Sequence, residues 1–105
     1  MRAKGRVDSN HAEIVRALRI NGAVVQSLAP IGNGCPDLLV AYRGANWLLE
    51  IKRDDKARLT ADERKWHEDW RGQGQVAIVT SWNEALYVIG AMEPPKGWKP
   101  RTEDE

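Results

Sequence analysis

A single cysteine in 105 residues excludes an internal disulfide and fits a reducing compartment. With two histidines as the other soft donors, Cys35, His11 and His67 are too few and too scattered for a persuasive zinc site. Cys35 reads instead as a small filler beside a turn. No apolar run approaches about 18 residues, which argues for a soluble protein without a membrane span. The start, Met-Arg-Ala-Lys-Gly-Arg, is basic but has no apolar segment behind it, so it does not read as a signal peptide. Charge of one sign is scarce too: 16 basic against 15 acidic residues leave +1, which alone does not announce nucleic acid. The last five residues hold one arginine against three acids, leaving +3 for residues 1–100. No internal repeat and no second domain are visible. The length suits one small domain with a single core.

What is present divides into a leader at 1–9, a domain at 10–92 and a proline-rich, acidic-ended tail at 93–105, expected to be disordered. A helix is expected from about His11 to Ile20, with Ile14, Val15 and Leu18 on one stripe. Asn10-His11-Ala12-Glu13 resembles a capping box with Asn10 as N-cap, and Asn21-Gly22 supplies the stop. Residues 23–27 read as a short strand, and Ile31-Gly32-Asn33-Gly34 as a turn. The glycines there are not a phosphate cradle, because no helix and no Gly-Lys-Ser/Thr follows. A second helix is expected over 61–70, with Thr60 as N-cap and Glu63 completing Thr-x-x-Glu. Trp66 and Trp70, four apart, are expected to pack on a sheet, the alternatives being a subunit contact or a wedge against DNA bases. Residues 75–80 form the clearest buried strand. Ser81-Trp82-Asn83-Glu84 is a further capping box, opening a short helix that Gly90 closes. The order is helix, three strands, helix, strand, helix. It predicts an α/β fold with a mixed central sheet flanked by helices, the last strand reached by a crossover and parallel to its neighbour.

Residues 34–52 organise the rest. Two apolar runs, 38–42 and 47–51, flank Arg43-Gly44-Ala45-Asn46 and read as a β-hairpin. A type II′ turn at Gly44-Ala45 pairs Arg43 with Asn46, Val40 with Leu49, Leu39 with Glu50 and Asp37 with Lys52. Side chains alternate along a strand, so Asp37, Leu39, Ala41, Leu48, Glu50 and Lys52 share one face, opposite a wholly apolar one. Asp37 and Glu50 become diagonal neighbours, their Cβ atoms roughly 7–8 Å apart or somewhat less. One hydrated cation can bridge carboxylates at that separation. A slip of one residue would send Asp37 to the other face. Either this is a solvated ion pair or a site; Leu39, Ala41 and Leu48 make the face mostly apolar, so the charges need a job or a partner.

Pro36-Asp37, followed at the end of the next strand by Glu50-Ile51-Lys52, resembles the signature of the PD-(D/E)XK nuclease superfamily. The surrounding Gly34-Cys35-Pro36-Asp37-Leu38-Leu39-Val40 and the segment from Leu59-Thr60 to Gly74 are similar to its virus-type replication-repair branch, VRR-NUC. The resemblance spans roughly residues 10–90 and implies a restriction-endonuclease-like core. It implies Asp37 and Glu50 as direct ligands of Mg²⁺ or Mn²⁺, the Ile51 carbonyl as a third, and Lys52 as the residue that orients water or offsets charge. It also implies an acidic residue on the first helix near the metal. Glu13 holds that place, in competition with a capping role. Where the family carries a Gln on the helix after Leu-Thr, this chain has Glu63 and Arg64.

The implied activity is Mg²⁺-dependent, structure-selective DNA cleavage of the Holliday-junction-resolvase type, by a homodimer on branched DNA. The expected setting is the cytoplasm of a bacterial or phage-infected cell, with no membrane partner. Arg53, Lys56, Arg58 and Lys65 are candidate phosphate contacts, with a solvated surface as the alternative for each. His67 stands beside Lys65 as a further such candidate. Two other classes stay open: a non-catalytic DNA- or protein-binding module on the same fold, and a restriction-type domain, which normally needs a specificity element this chain lacks.

Overall fold

The computed structural model describes residues 9–102. The expected leader therefore lies outside the described residues except for Ser9, as do residues 103–105. The elements are α1 (Ser9–Ile20), β1 (Val24–Ser27), a 3-10 turn (Ala29–Ile31), β2 (Leu38–Tyr42), β3 (Ala45–Ile51), α2 (Ala61–Trp70), β4 (Val76–Val79) and α3 (Trp82–Ile89). One sheet runs β1-β2-β3-β4, antiparallel between its first three strands and parallel between β3 and β4. A two-residue link leaves β2 and β3 antiparallel, whereas the crossover through α2 brings β4 back parallel to β3. This is the mixed sheet flanked by helices that the element order predicts.

The hairpin turn is one step from where the sequence places it. Tyr42 pairs with Ala45, and Arg43 and Gly44 occupy the turn with φ of 49° and 86°. Two central residues at positive φ make a type I′ turn, which matches strand twist as well as II′ does. The register therefore shifts by two residues, with Val40 opposite Trp47 and Leu38 opposite Leu49. A shift of two preserves the faces, where a shift of one inverts them. Leu38, Val40, Leu49 and Ile51 still bury on one side, with Ala77 and Val79 of β4.

α1 and α3 cover that side through Ile14, Leu18, Ala85, Leu86 and Ile89. Burying each large aliphatic side chain contributes about 1.5–3 kcal/mol, so this single cluster supplies most of the drive to fold. α1 begins earlier than predicted, and Asn10 is not its cap. Asn10 lies inside the helix and donates through Nδ2 to the carbonyls of Lys52 and Thr80, both at 2.9 Å. It clips the ends of β3 and β4 together. At α2 the expected capping box forms, with the Thr60 side chain accepting from Glu63 N–H and Glu63 accepting from Thr60 N–H. At α3 only half of the expected box forms. Ser81 accepts from Glu84 N–H, but Glu84 turns to the N–H and hydroxyl of Thr80.

The expected disordered tail is also corrected for residues 93–102. Arg101 forms an antiparallel bridge with Ile78, accepting its N–H at 2.8 Å on the outer edge of β4. Trp98 meets Tyr87 edge to face at 5.1 Å, and the Arg101 guanidinium donates to the Ala57 carbonyl at 2.7 Å. An edge strand with unpaired backbone groups gives even a proline-rich segment something to hold.

Candidate active site

Three side chains meet at the rim where β2 begins and β3 ends. Asp37 precedes β2, one step beyond the Leu38–Leu49 pair, and so lies opposite Glu50 instead of diagonal to it. Its Oδ2 accepts the Ile51 N–H at 2.7 Å, which fixes the carboxylate beside β3. Its own backbone carbonyl accepts from Leu28 N–H at 2.8 Å, anchoring the strand entry from the other side. Glu50 is 2% exposed, and its Oε1 is buried without a hydrogen-bond partner. Lys52 Nζ lies 3.8 Å from Glu50 Oε2 and 2.7 Å from Glu63 Oε1.

Glu63 comes from the first turn of α2, which reaches the rim because the loop before Asp37 allows a close approach. A Cβ on Gly34 would lie 2.4 Å from the Asp62 carbonyl carbon and oxygen, and Gly34 holds φ of +83°. Only glycine allows both the close approach and that backbone conformation. The loop before Asp37 and the start of α2 thus pack backbone to backbone.

The electrostatics are those of a site short of positive charge. Burial pushes the Glu50 carboxyl up to about 9, helped by the charges of Asp37 and Glu63, and Lys52 only partly opposes them. For Glu63, burial acts upward, but hydrogen bonds from Lys52 and from the Thr60 N–H outweigh it and hold the carboxyl below its usual range. Burial also raises the Cys35 thiol, with Glu50 and Asp37 adding to the effect, so Cys35 sits on the margin of the same cluster. Among the described residues no group of three or more His, Cys, Asp or Glu has metal-holding geometry. Two carboxylates with a main-chain carbonyl still fit a hard divalent cation of the Mg²⁺ type, which keeps several waters and takes few protein ligands. The partnerless buried oxygen of Glu50 is the clearest sign of that fit.

Other candidate residues lie elsewhere. Glu13 is exposed on α1 and is absent from the charges that act on Glu50, so the structure does not bring it to the rim. Nor does it cap, since it stands in the second turn of α1. Arg53, Lys56 and Arg58 are exposed on the loop that leaves β3, with Arg53 3.6 Å from Asp54. Lys65 is exposed on α2 and bound to Asp69 at 2.7 Å. His67 is not a phosphate contact: it is fully buried, with neither ring nitrogen hydrogen-bonded. Trp66 and Trp70 stack on each other at 5.3 Å and 6°, and Trp70 stays 40% exposed, so the pair is not part of the main core. Two residues were undervalued by sequence reasoning. Glu63 was visible as a capping acid and, with Arg64, at the place of the family's helix Gln, but not as the partner of Lys52. Asn10 carried no signal beyond its cap preference.

No protein-family model matches the sequence, and no curated protein matches it. A solved structure described as "VRR_NUC domain" superposes with a TM-score of 0.63 and 26% identity, over 79% of this chain and 97% of that one. A mixed four-stranded sheet with its acid–lysine rim on the β2–β3 hairpin defines a nuclease-type domain. Within that class, the chain is similar in fold and, at 26% identity, in sequence to a VRR_NUC domain. Among the described residues no helix is long and apolar enough to cross a membrane.

Proposed function

We propose that this chain is a Mg²⁺- or Mn²⁺-dependent, structure-selective DNA endonuclease that hydrolyses phosphodiester bonds in branched DNA of the Holliday-junction type, acting as a homodimer. The observation that carries the reading is the opposition of Asp37 and Glu50 at one rim, with a buried Glu50 oxygen left unpaired and Lys52 alongside. Buried acids outnumbering their cations are costly unless something positive joins them. When bound, a divalent cation supplies a more acidic water and neutralises charge at the phosphate. Asp37, Glu50 and the Ile51 carbonyl would hold it. Lys52 Nζ orients the attacking water and offsets the negative charge that develops on the phosphate oxygens. Arg53, Lys56 and Arg58 follow directly on an exposed loop, where they neutralise backbone phosphates on either side of the cut. Lys65 would add a phosphate contact from α2 by exchanging Asp69 for DNA. Glu13 has no part in this reading.

A small rim without a groove-reading element suits recognition by phosphates and by DNA shape. Two symmetric cuts need two sites, and two-fold pairing of identical chains is the commonest way to present them. The test is a gel assay with a four-way junction, a flap and a plain duplex, using wild type and Lys52→Ala in Mg²⁺ or Mn²⁺. The expected outcome is preferential junction cleavage by wild type, lost in Lys52→Ala with junction binding retained. Equal cleavage of all three DNAs would reject the resolvase assignment. No cleavage of any of them would reject the enzyme and leave a binding module.

A further inference from the structure

The motif associates Lys52 with Glu50, but the short contact in the structure is to a different acid. Lys52 Nζ lies 2.7 Å from Glu63 Oε1 and 3.8 Å from Glu50 Oε2. Hydrogen-bond contact with a carboxylate ends near 3 Å, so Glu63 alone grips the ammonium directly. Both partners are shielded, with side-chain exposures of 14% and 19%. A charge-assisted bond in that setting is not the freely exchanging pair of a protein surface.

The same Glu63 oxygen has a second duty. Oε1 also accepts the Thr60 N–H at 2.9 Å, closing the capping box, while Glu63 N–H donates to Thr60 Oγ1 at 3.2 Å. The first turn of α2 is itself seated against the Gly34 loop that leads to Asp37. One carboxylate oxygen therefore joins the lysine at the end of β3 to a helix start braced against the entry to β2. Loss of the grip would leave a four-carbon side chain free to swing, whereas its retention holds Nζ 3.8 Å from Glu50 Oε2.

We propose that Glu63 is the positioning residue for Lys52. From the first turn of α2 it holds the ammonium beside the Glu50 carboxylate. Glu63 touches neither substrate nor reacting atoms in this role; it acts through Lys52. The role in turnover rests on the nuclease reading above, but the grip on Lys52 does not.

Three variants of the full chain separate positioning from mere folding. Glu63→Gln keeps an acceptor oxygen for both the cap and the lysine. Glu63→Leu removes both. Thr60→Ala weakens the same cap without touching Nζ. Each is assayed for junction cleavage in Mg²⁺, for thermal stability, and for acetylation of Lys52 by a brief pulse of an acetyl ester, read by mass spectrometry against Lys56 and Lys65 in the same sample. Glu63→Leu is expected to lower kcat by about 30-fold or more, with KM for DNA changed less than about threefold, as loss of an oriented group does. Its Lys52 is expected to acetylate several-fold faster relative to the two reference lysines. Glu63→Gln is expected to stay within about threefold of wild type in kcat and in labelling, a rescue by the conservative variant. Thr60→Ala is expected to melt lower, with kcat and Lys52 labelling unchanged. If Glu63→Leu matches Thr60→Ala in both kcat and labelling, Glu63 is only a cap and the inference is overturned. If wild type cuts no DNA, the nuclease reading fails, and the labelling comparison alone decides for or against the grip.

Discussion

Replacing Glu50 by Gln is expected to stabilise the cation-free protein while ending its activity. The Glu50 carboxyl is 2% exposed and stands at about 9 instead of 4.5, chiefly through burial and next through Asp37. A carboxyl raised on folding contributes its full stability only below its unfolded value. That stability drains away as pH climbs from 4.5 and is gone above about 9. At about 1.4 kcal/mol per pH unit, the interval from 4.5 to pH 7 amounts to a cost on the order of 3 kcal/mol. Glutamine has the same shape and carries no charge to desolvate. It forfeits the 3.8 Å ion pair with Lys52, yet Lys52 keeps its 2.7 Å bond to Glu63 and is not orphaned. A net gain of about 2–3 kcal/mol corresponds to a rise on the order of 10 °C for a domain of this size. Thermal unfolding in a chelator, at intervals from pH 5 to pH 9, measures it for both proteins. The difference between variant and wild type should widen with pH. Millimolar Mn²⁺ should raise the wild-type melting temperature and leave Glu50→Gln unmoved. A variant less stable than wild type at pH 7 to 8 in the chelator would refute the argument.

Three further outcomes follow from single contacts. Gly34→Ala places a methyl 2.4 Å from the Asp62 backbone at φ of +83° and is expected to cost about 2–4 kcal/mol, read as a lowered urea midpoint; an unchanged midpoint would contradict the close packing of loop and helix. Asn10→Ala removes two hydrogen bonds at 2.9 Å together with a buried, partnerless Oδ1, so a loss of about 1–2 kcal/mol is expected, with faster amide exchange at the ends of β3 and β4. His67 is held below its usual range, first by burial and then by Arg71, so the unfolded chain takes up that proton more readily. Its contribution to stability is therefore present above about 6.5 and lost as pH falls. His67→Leu should flatten the acid limb of the stability profile, and an unchanged limb would assign acid unfolding elsewhere.

The face assignment was legible because it depends on parity alone. Asp37, Glu50 and Lys52 share a side whether the turn is II′ at Gly44-Ala45 or I′ at Arg43-Gly44, since the two registers differ by two residues. The turn itself was not legible, because it puts Arg43 at positive φ, which a non-glycine residue seldom adopts. The α2 cap could be read from Thr60 and Glu63, as both partners are local. The second contact of Glu63 could not, because Lys52 reaches it only after the crossover folds back. Asn10 fails for the same reason: its cap preference is local, while its partners stand 42 and 70 residues away. Composition marked residues 93–102 as a tail, but one backbone bridge to Ile78 and the Trp98–Tyr87 contact depend on neighbours that composition does not describe. Glu13 followed the order of elements, and the side of α1 it occupies turned out to face outward.

Crystals grown with Mn²⁺ give the most direct view of the rim, through an anomalous difference map calculated without the ion. A peak is expected between the Asp37 and Glu50 carboxylates, in contact with Glu50 Oε1 and lost in crystals of Glu50→Gln. A map with no peak there would contradict cation binding by this pair of carboxylates.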